Sequence, residues 1–176
     1  MNRKDITKFL SDLLEKDKLS GAGKYWAKEV TFDYGKEGSV RVDYVQFKPL
    51  NQLAVDGLEK GEFICYEIKS CKEDYLSGHG LNYEGEKNYL VMTMGTYKAL
   101  KECGEIDKLP YCVGILVPMP YRKKYKEDKI QSEYEHPTEF LTTDKVYLET
   151  IKPAKKTYRK RPMTEMLFCM LRTFHK

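Results

Sequence analysis

Two charged residues interrupt the most apolar, strand-like segment of the chain. Residues 62–70, EFICYEIKS, carry Glu67 and Lys69 two positions apart. Side chains alternate along a strand, so Glu67 and Lys69 share one face while Ile68 points to the other. Charges buried in a sheet are costly unless they are paired or hold an ion. The preceding apolar segment shows a similar break, with Asp43 between Val42 and Tyr44 and 24 residues ahead of Glu67. If the two strands pair, Asp43 approaches Glu67 near one end of the sheet. Two carboxylates so placed repel each other, and a divalent cation relieves the repulsion. Mg²⁺ (or Mn²⁺) favours such a donor set: one or two carboxylates, a backbone carbonyl such as that of Ile68, waters and a substrate phosphate. The cation would polarise a phosphodiester and acidify water. Lys69 would orient that water or stabilise the charge building on phosphorus. Ordinary sheets also carry Glu-x-Lys pairs as a cross-strand device, so the pair alone leaves catalysis and structure open.

The elements that must position this trio follow from periodicity and turn residues. Residues 5–18 predict an amphipathic helix with Ile6, Phe9, Leu10, Leu13 and Leu14 on one face, broken by Gly21 and Gly23. Residues 25–34 and 39–47 predict a strand hairpin around Gly35 and Gly38. Residues 49–61 read as a loop or short helix, and 62–70 as the third strand. Gly78, Gly80 and Gly85 punctuate the next stretch, before a strand at 87–92 and a helix at 95–103 that Gly104 ends. Residues 111–117 predict an apolar strand closed by Pro118 and Pro120. Residues 121–150 read as irregular and charged, and 163–174 as a helix with Met166, Leu167, Met170 and Leu171 at packing spacing. The expected fold is α/β: a central mixed sheet flanked by helices.

At 176 residues the chain fits one domain with a real core, and its 14 Tyr and 7 Phe argue against disorder. The expected division is a domain over 1–150 and a basic tail with its helix over 151–176. No run approaches the roughly 18 apolar residues of a membrane span. Nor does the N-terminus hold the apolar core of a signal peptide. The expectation is a soluble, cytoplasmic protein without a membrane partner. Cys65, Cys71, Cys103, Cys112 and Cys169 match no zinc spacing, and the three histidines lie far apart. Free thiols and oxygen-held metal are the default. The net charge of +4 is uneven: residues 152–176 hold eight Lys or Arg against Glu165, while the first 151 hold 23 bases and 26 acids. The block Lys152, Lys155, Lys156, Arg159, Lys160, Arg161 would attract a polyanion or serve as a solvated linker. A smaller basic cluster at 121–126 reads as a charged loop.

Asp43 followed by Glu67-Ile68-Lys69 resembles the D…(D/E)xK signature of the PD-(D/E)xK nuclease superfamily. The αβββαβ order around it is similar to that superfamily's restriction-endonuclease-like core. Residues 67–82 followed by 87–92 resemble MmcB-like and phage-encoded nucleases, in which the ExK strand runs into a glycine-marked loop and then an apolar strand. The likeness covers roughly residues 26–117. It implies Asp43 and Glu67 as metal ligands, the Ile68 carbonyl as a third donor and Lys69 as the catalytic lysine. Val42 stands where the signature's proline would be. Some members add an acidic ligand from the first helix, for which Glu15 is the nearest candidate. Arg41 shares the face of Asp43 and could hold a carboxylate or phosphate. His79 and Asn82 could reach phosphate from the glycine loop, and Asp74 reads as a cap or supporting acid.

These residues lead to an Mg²⁺-dependent nuclease that hydrolyses DNA, with Lys155, Lys156, Arg159, Lys160 and Arg161 gripping the backbone. A homodimer would suit two cuts in a duplex. The alternatives are a non-catalytic nucleic-acid-binding protein on the same fold, or a phage accessory interaction protein with tyrosines at its interface.

Overall fold

The computed structural model describes residues 2–120 and 143–173. The basic cluster at 121–126 lies outside them. Helix α1 (Arg3–Leu14) begins at Asn2, whose side chain accepts the Asp5 N–H at 2.9 Å, and widens into a π-helical turn over Glu15–Leu19. Its apolar stripe, Phe9, Leu10, Leu13 and Leu14, is buried. Strands β1 (Tyr25–Phe32) and β2 (Val40–Lys48) form an antiparallel hairpin. A short helix α2 (Val55–Glu59) leads to β3 (Glu62–Lys69), antiparallel to β2. Helix α3 (Lys72–Leu76) lies on the crossover to β4 (Lys87–Met92), and α4 (Met94–Glu102) with α5 (Glu105–Lys108) on the crossover to β5 (Val113–Pro120). Both crossovers join parallel neighbours, as parallel pairing requires. Strand β6 (Val146–Lys152) returns antiparallel to β5, and α6 (Met163–Thr173) closes the described chain.

The result is a six-stranded mixed sheet in the spatial order β1-β2-β3-β4-β5-β6, flanked by helices. On one face α1 packs on Tyr44, Ile64, Tyr66, Ile68, Val91 and Leu116. On the other, α6 inserts Met166, Cys169 and Met170 among residues of β1, β2 and β3, and Tyr75 and Leu100 cover β4 and β5. Sequence alternation in β3 thus feeds two cores at once: Phe63 and Cys65 to one side, Ile64, Tyr66 and Ile68 to the other.

Two expectations need correction. Residues 146–150, expected to be irregular, lie in β6, with Val146 and Leu148 buried and Tyr147 and Glu149 half-exposed. That alternation is short and sits among charges, which hid it. The expected division at 150/151 falls inside β6, and α6 belongs to the core, so the C-terminal stretch is built into the domain. All five cysteines are free thiols. No helix among the described residues is long and apolar enough to cross a membrane.

Candidate active site

The β2–β3 ladder pairs Lys48 with Glu62 and runs to Tyr44 opposite Tyr66, where it stops. One more step in the same register would set Asp43 opposite Glu67. Instead the Asp43 carboxylate takes over the backbone's role, its Oδ2 accepting the Ile68 N–H at 2.8 Å. The two strands therefore fork at this point, and Asp43 is wedged in the fork. Glu67 and Lys69 are buried beside it at 6% and 3% exposure, on the face that Phe63 and Cys65 share. Burial pushes the Glu67 carboxyl well above its ordinary value of 4.5; the Asp43 charge and a hydrogen bond to Asp43 add to this, and the Lys69 ammonium opposes it. Two negative charges are one too many for this fork. Proton uptake by Glu67 or a bound cation would each relieve the repulsion.

Lys69 Nζ donates to the backbone carbonyl of His79. The loop after α3 thus folds down onto the pair. Gly80 makes the close approach possible: a Cβ there would stand 2.3 Å from Glu67 Oε2 and 3.3 Å from Lys69 Nζ, and its φ of +74° lies in the left-handed region that favours glycine. Asp74 anchors this arrangement. Its Oδ2 accepts the Ser70 N–H at 3.1 Å and the Ser70 hydroxyl at 3.0 Å, while Oδ1 accepts Arg3 of α1 at 2.5 Å. The end of β3 is thereby tied to α3 and α1; of the two roles expected for Asp74 this is the supporting acid, since Cys71 occupies the N-cap position of α3.

The fork opens into a cleft of about 1160 Å³ with Asp43, Glu67 and Lys69 among its lining residues. Cationic side chains from α1, β1 and β2 line it as well: Arg3, Lys8, Lys28 and Arg41. Arg41 is exposed and 3.9 Å from Glu29, and His79 and Asn82 lie in the cleft wall. Glu15 does not line the cleft. It stands behind the wall, accepting the Tyr44 hydroxyl at 2.7 Å and pairing with Lys28, two residues that do line the cleft. Among the described residues no cluster of three or more His, Cys, Asp or Glu forms a metal cage. The donors present are two adjacent carboxylates with a backbone carbonyl between Glu67 and Lys69. That set, with its excess negative charge, fits a hard divalent cation that keeps waters and takes substrate oxygens.

The basic block lies elsewhere. None of Lys155, Lys156, Arg159, Lys160 and Arg161 lines the cleft. Residues 154–161 form a strap across the β3–β4 connection, with the Thr157 N–H donating to the Glu86 carbonyl at 2.8 Å. Arg159 grips buried Glu86 through Nε at 2.9 Å and a terminal nitrogen at 2.8 Å, and covers the Phe63 ring. Arg161 grips buried Glu84 at 2.8 Å, Asp33 at 2.8 Å and Glu165 at 2.7 Å, over the Phe32 ring. Lys160 donates to the Asn82 carbonyl. Lys156 is 3.6 Å from Glu62 and Lys155 sits over Tyr111, both on the surface. Of the five cations expected to grip phosphate, Arg159 and Arg161 are thus paired with the buried carboxylates Glu86 and Glu84. Glu84 and Glu86, which flank Gly85, carry no sequence signal of their burial.

No protein-family model, no curated protein and no solved structure matches this chain.

Proposed function

We propose that the protein is a divalent-metal-dependent nuclease that hydrolyses DNA phosphodiester bonds in the forked cleft. The observation that carries this reading is the meeting of Asp43, Glu67 and Lys69 where β2 and β3 part. The order of elements around the fork, α1 then β1, β2 and β3 with α4 and β5 following β4, resembles the PD-(D/E)xK core and supports the same reading. Asp43, Glu67 and the Ile68 carbonyl would hold Mg²⁺ or Mn²⁺. Once bound, the cation supplies Lewis-acid polarisation of the phosphodiester and a more acidic water. Lys69, exchanging the His79 carbonyl for the substrate, donates to the phosphate oxygens as water adds to phosphorus and the ester P–O bond breaks. The leaving oxygen takes up a proton. Arg3, Lys8 and Arg41 would meet the flanking phosphates, giving affinity that falls with salt.

The loop over Glu67 and Lys69 favours a second reading, in which the fold binds nucleic acid without cutting it. Cleavage of supercoiled plasmid and single-stranded DNA in Mg²⁺ or Mn²⁺ separates the two, comparing the wild type with Glu67→Ala and Lys69→Ala. Cleavage that EDTA abolishes and both variants lack is the expected result. Equal cleavage by all three proteins overturns the site, and retarded but intact DNA selects the second reading.

A further inference from the structure

Strand β1 carries a residue that a strand should not. Glu29 has φ +49°, a left-handed conformation, in the middle of the run Tyr25–Phe32. Its register partner in β2 is Asp43. The ladder pairs Lys28 with Tyr44 and Val30 with Val42, and the pair between them, Glu29 with Asp43, is missing. Burial changes phase at the same place in both strands. Ala27 on β1 and Val45 and Phe47 on β2 face the α6 core, and beyond the break Val30, Phe32 and Val42 face that same core. Odd positions give way to even ones, which a regular strand forbids. On its other side Asp43 has lost its ladder partner too, since pairing to β3 ends at Tyr44–Tyr66. Asp43 is thus released from both neighbours at one position, and its carboxylate is free to accept the Ile68 N–H.

The Glu29 side chain does not explain its backbone. It is 68% exposed and lies 3.9 Å from Arg41, itself exposed. A non-glycine residue held left-handed by its surroundings, beside a candidate site, is the kind of strain that structures keep for a purpose.

We propose that Glu29 is a positioning residue, acting through its left-handed backbone rather than its carboxylate to break the β1–β2 ladder and set Asp43 in the fork. The proposal adds a positioning element to the cleft of the nuclease reading. The geometry it explains exists without metal or substrate. A β-branched residue cannot adopt this φ without a clash, whereas glycine adopts it freely. Restoring a regular strand at 29 would re-pair 29 with 43 and draw Asp43 away from Ile68.

Amide hydrogen exchange of Ile68, read by NMR on the full chain without metal, tests this. Glu29→Gly and Glu29→Gln are expected to hold Ile68 protection within about two-fold of the wild type, while Glu29→Val lowers it by about ten-fold or more with the Val45–Cys65 ladder still protected. Loss of Ile68 protection in Glu29→Gly overturns the proposal, because the side chain would then be what matters. Retained protection in a folded Glu29→Val overturns it as well. If Glu29→Val does not fold, the glycine variant alone decides. Mn²⁺ titration of the same proteins keeps the two ideas apart. Wild type that binds no metal yet shows the exchange pattern sinks the nuclease reading and leaves Glu29 in its role.

Discussion

Replacing Arg161 with alanine should test whether the basic block serves the core before it serves any polyanion. The guanidinium is 16% exposed and reaches three carboxylates, of which Glu84 is 8% exposed. Breaking a buried pair from one side leaves an uncompensated charge, at a cost of about 3–5 kcal/mol. For a chain of this length that corresponds to a fall in Tm of roughly 6–20 °C. Lys160, 3.9 Å from Glu84, offers limited compensation. Lys155→Ala and Lys156→Ala, on the exposed surface, should stay within about 0.5 kcal/mol of the wild type. Thermal and urea unfolding of the three variants would read these differences. Adding Glu84→Gln to Arg161→Ala removes the stranded charge and should recover a large part of the loss. A cost under about 1 kcal/mol for Arg161→Ala, or no recovery in the double variant, would refute the reasoning.

Metal-free stability should depend on pH through Glu67. Its folded value lies above the unfolded one, so its contribution is complete below about pH 4.5 and is lost as pH rises, at up to about 1.4 kcal/mol per unit. Melting in EDTA from pH 5 to 8 should show this fall in the wild type and a flatter profile in Glu67→Gln; parallel profiles would count against it. Gly80→Ala should cost more than Gly78→Ala, since both have positive φ but only the former meets Glu67, at 2.3 Å. Strain alone predicts about 1–2 kcal/mol at Gly78, with a further loss of Mn²⁺ affinity confined to Gly80→Ala in calorimetric titration. Asp74→Ala strands the buried Ser70 N–H and hydroxyl and should cost about 1–3 kcal/mol in urea unfolding.

The trio at the fork was legible because charge in an apolar strand is expensive, and Asp43, Glu67 and Lys69 each broke a pattern that Val42, Ile64 and Ile68 had set. The hairpin, β3, β4 and α1 were legible from plain alternation and helical spacing. Counting charges misjudged residues 154–161, because the count does not see that Glu84 and Glu86 are buried and need partners. Strand β6 stayed hidden because two inward residues, Val146 and Leu148, are too few to stand out among their charged neighbours. The break at Glu29 did leave a trace. The apolar phase changes between Ala27 and Val30 and again between Val42 and Val45. Those two shifts become one signal only when the strands are laid side by side.

The strap also bears on the order in which the domain can be completed during synthesis. Glu86 and Arg159 are separated by 73 residues, and the ribosome makes that interval in about 4–15 s. Until Arg159 and Arg161 emerge, the β3–β4 connection carries two carboxylates with no counter-charge and must keep them in water. The face of β1 and β2 that α6 will cover stays open longer still, from the synthesis of β2 until Met163–Thr173 has emerged. The nascent sheet therefore waits with an apolar flank exposed, and variants that weaken the strap should show their largest effect in soluble yield from cells.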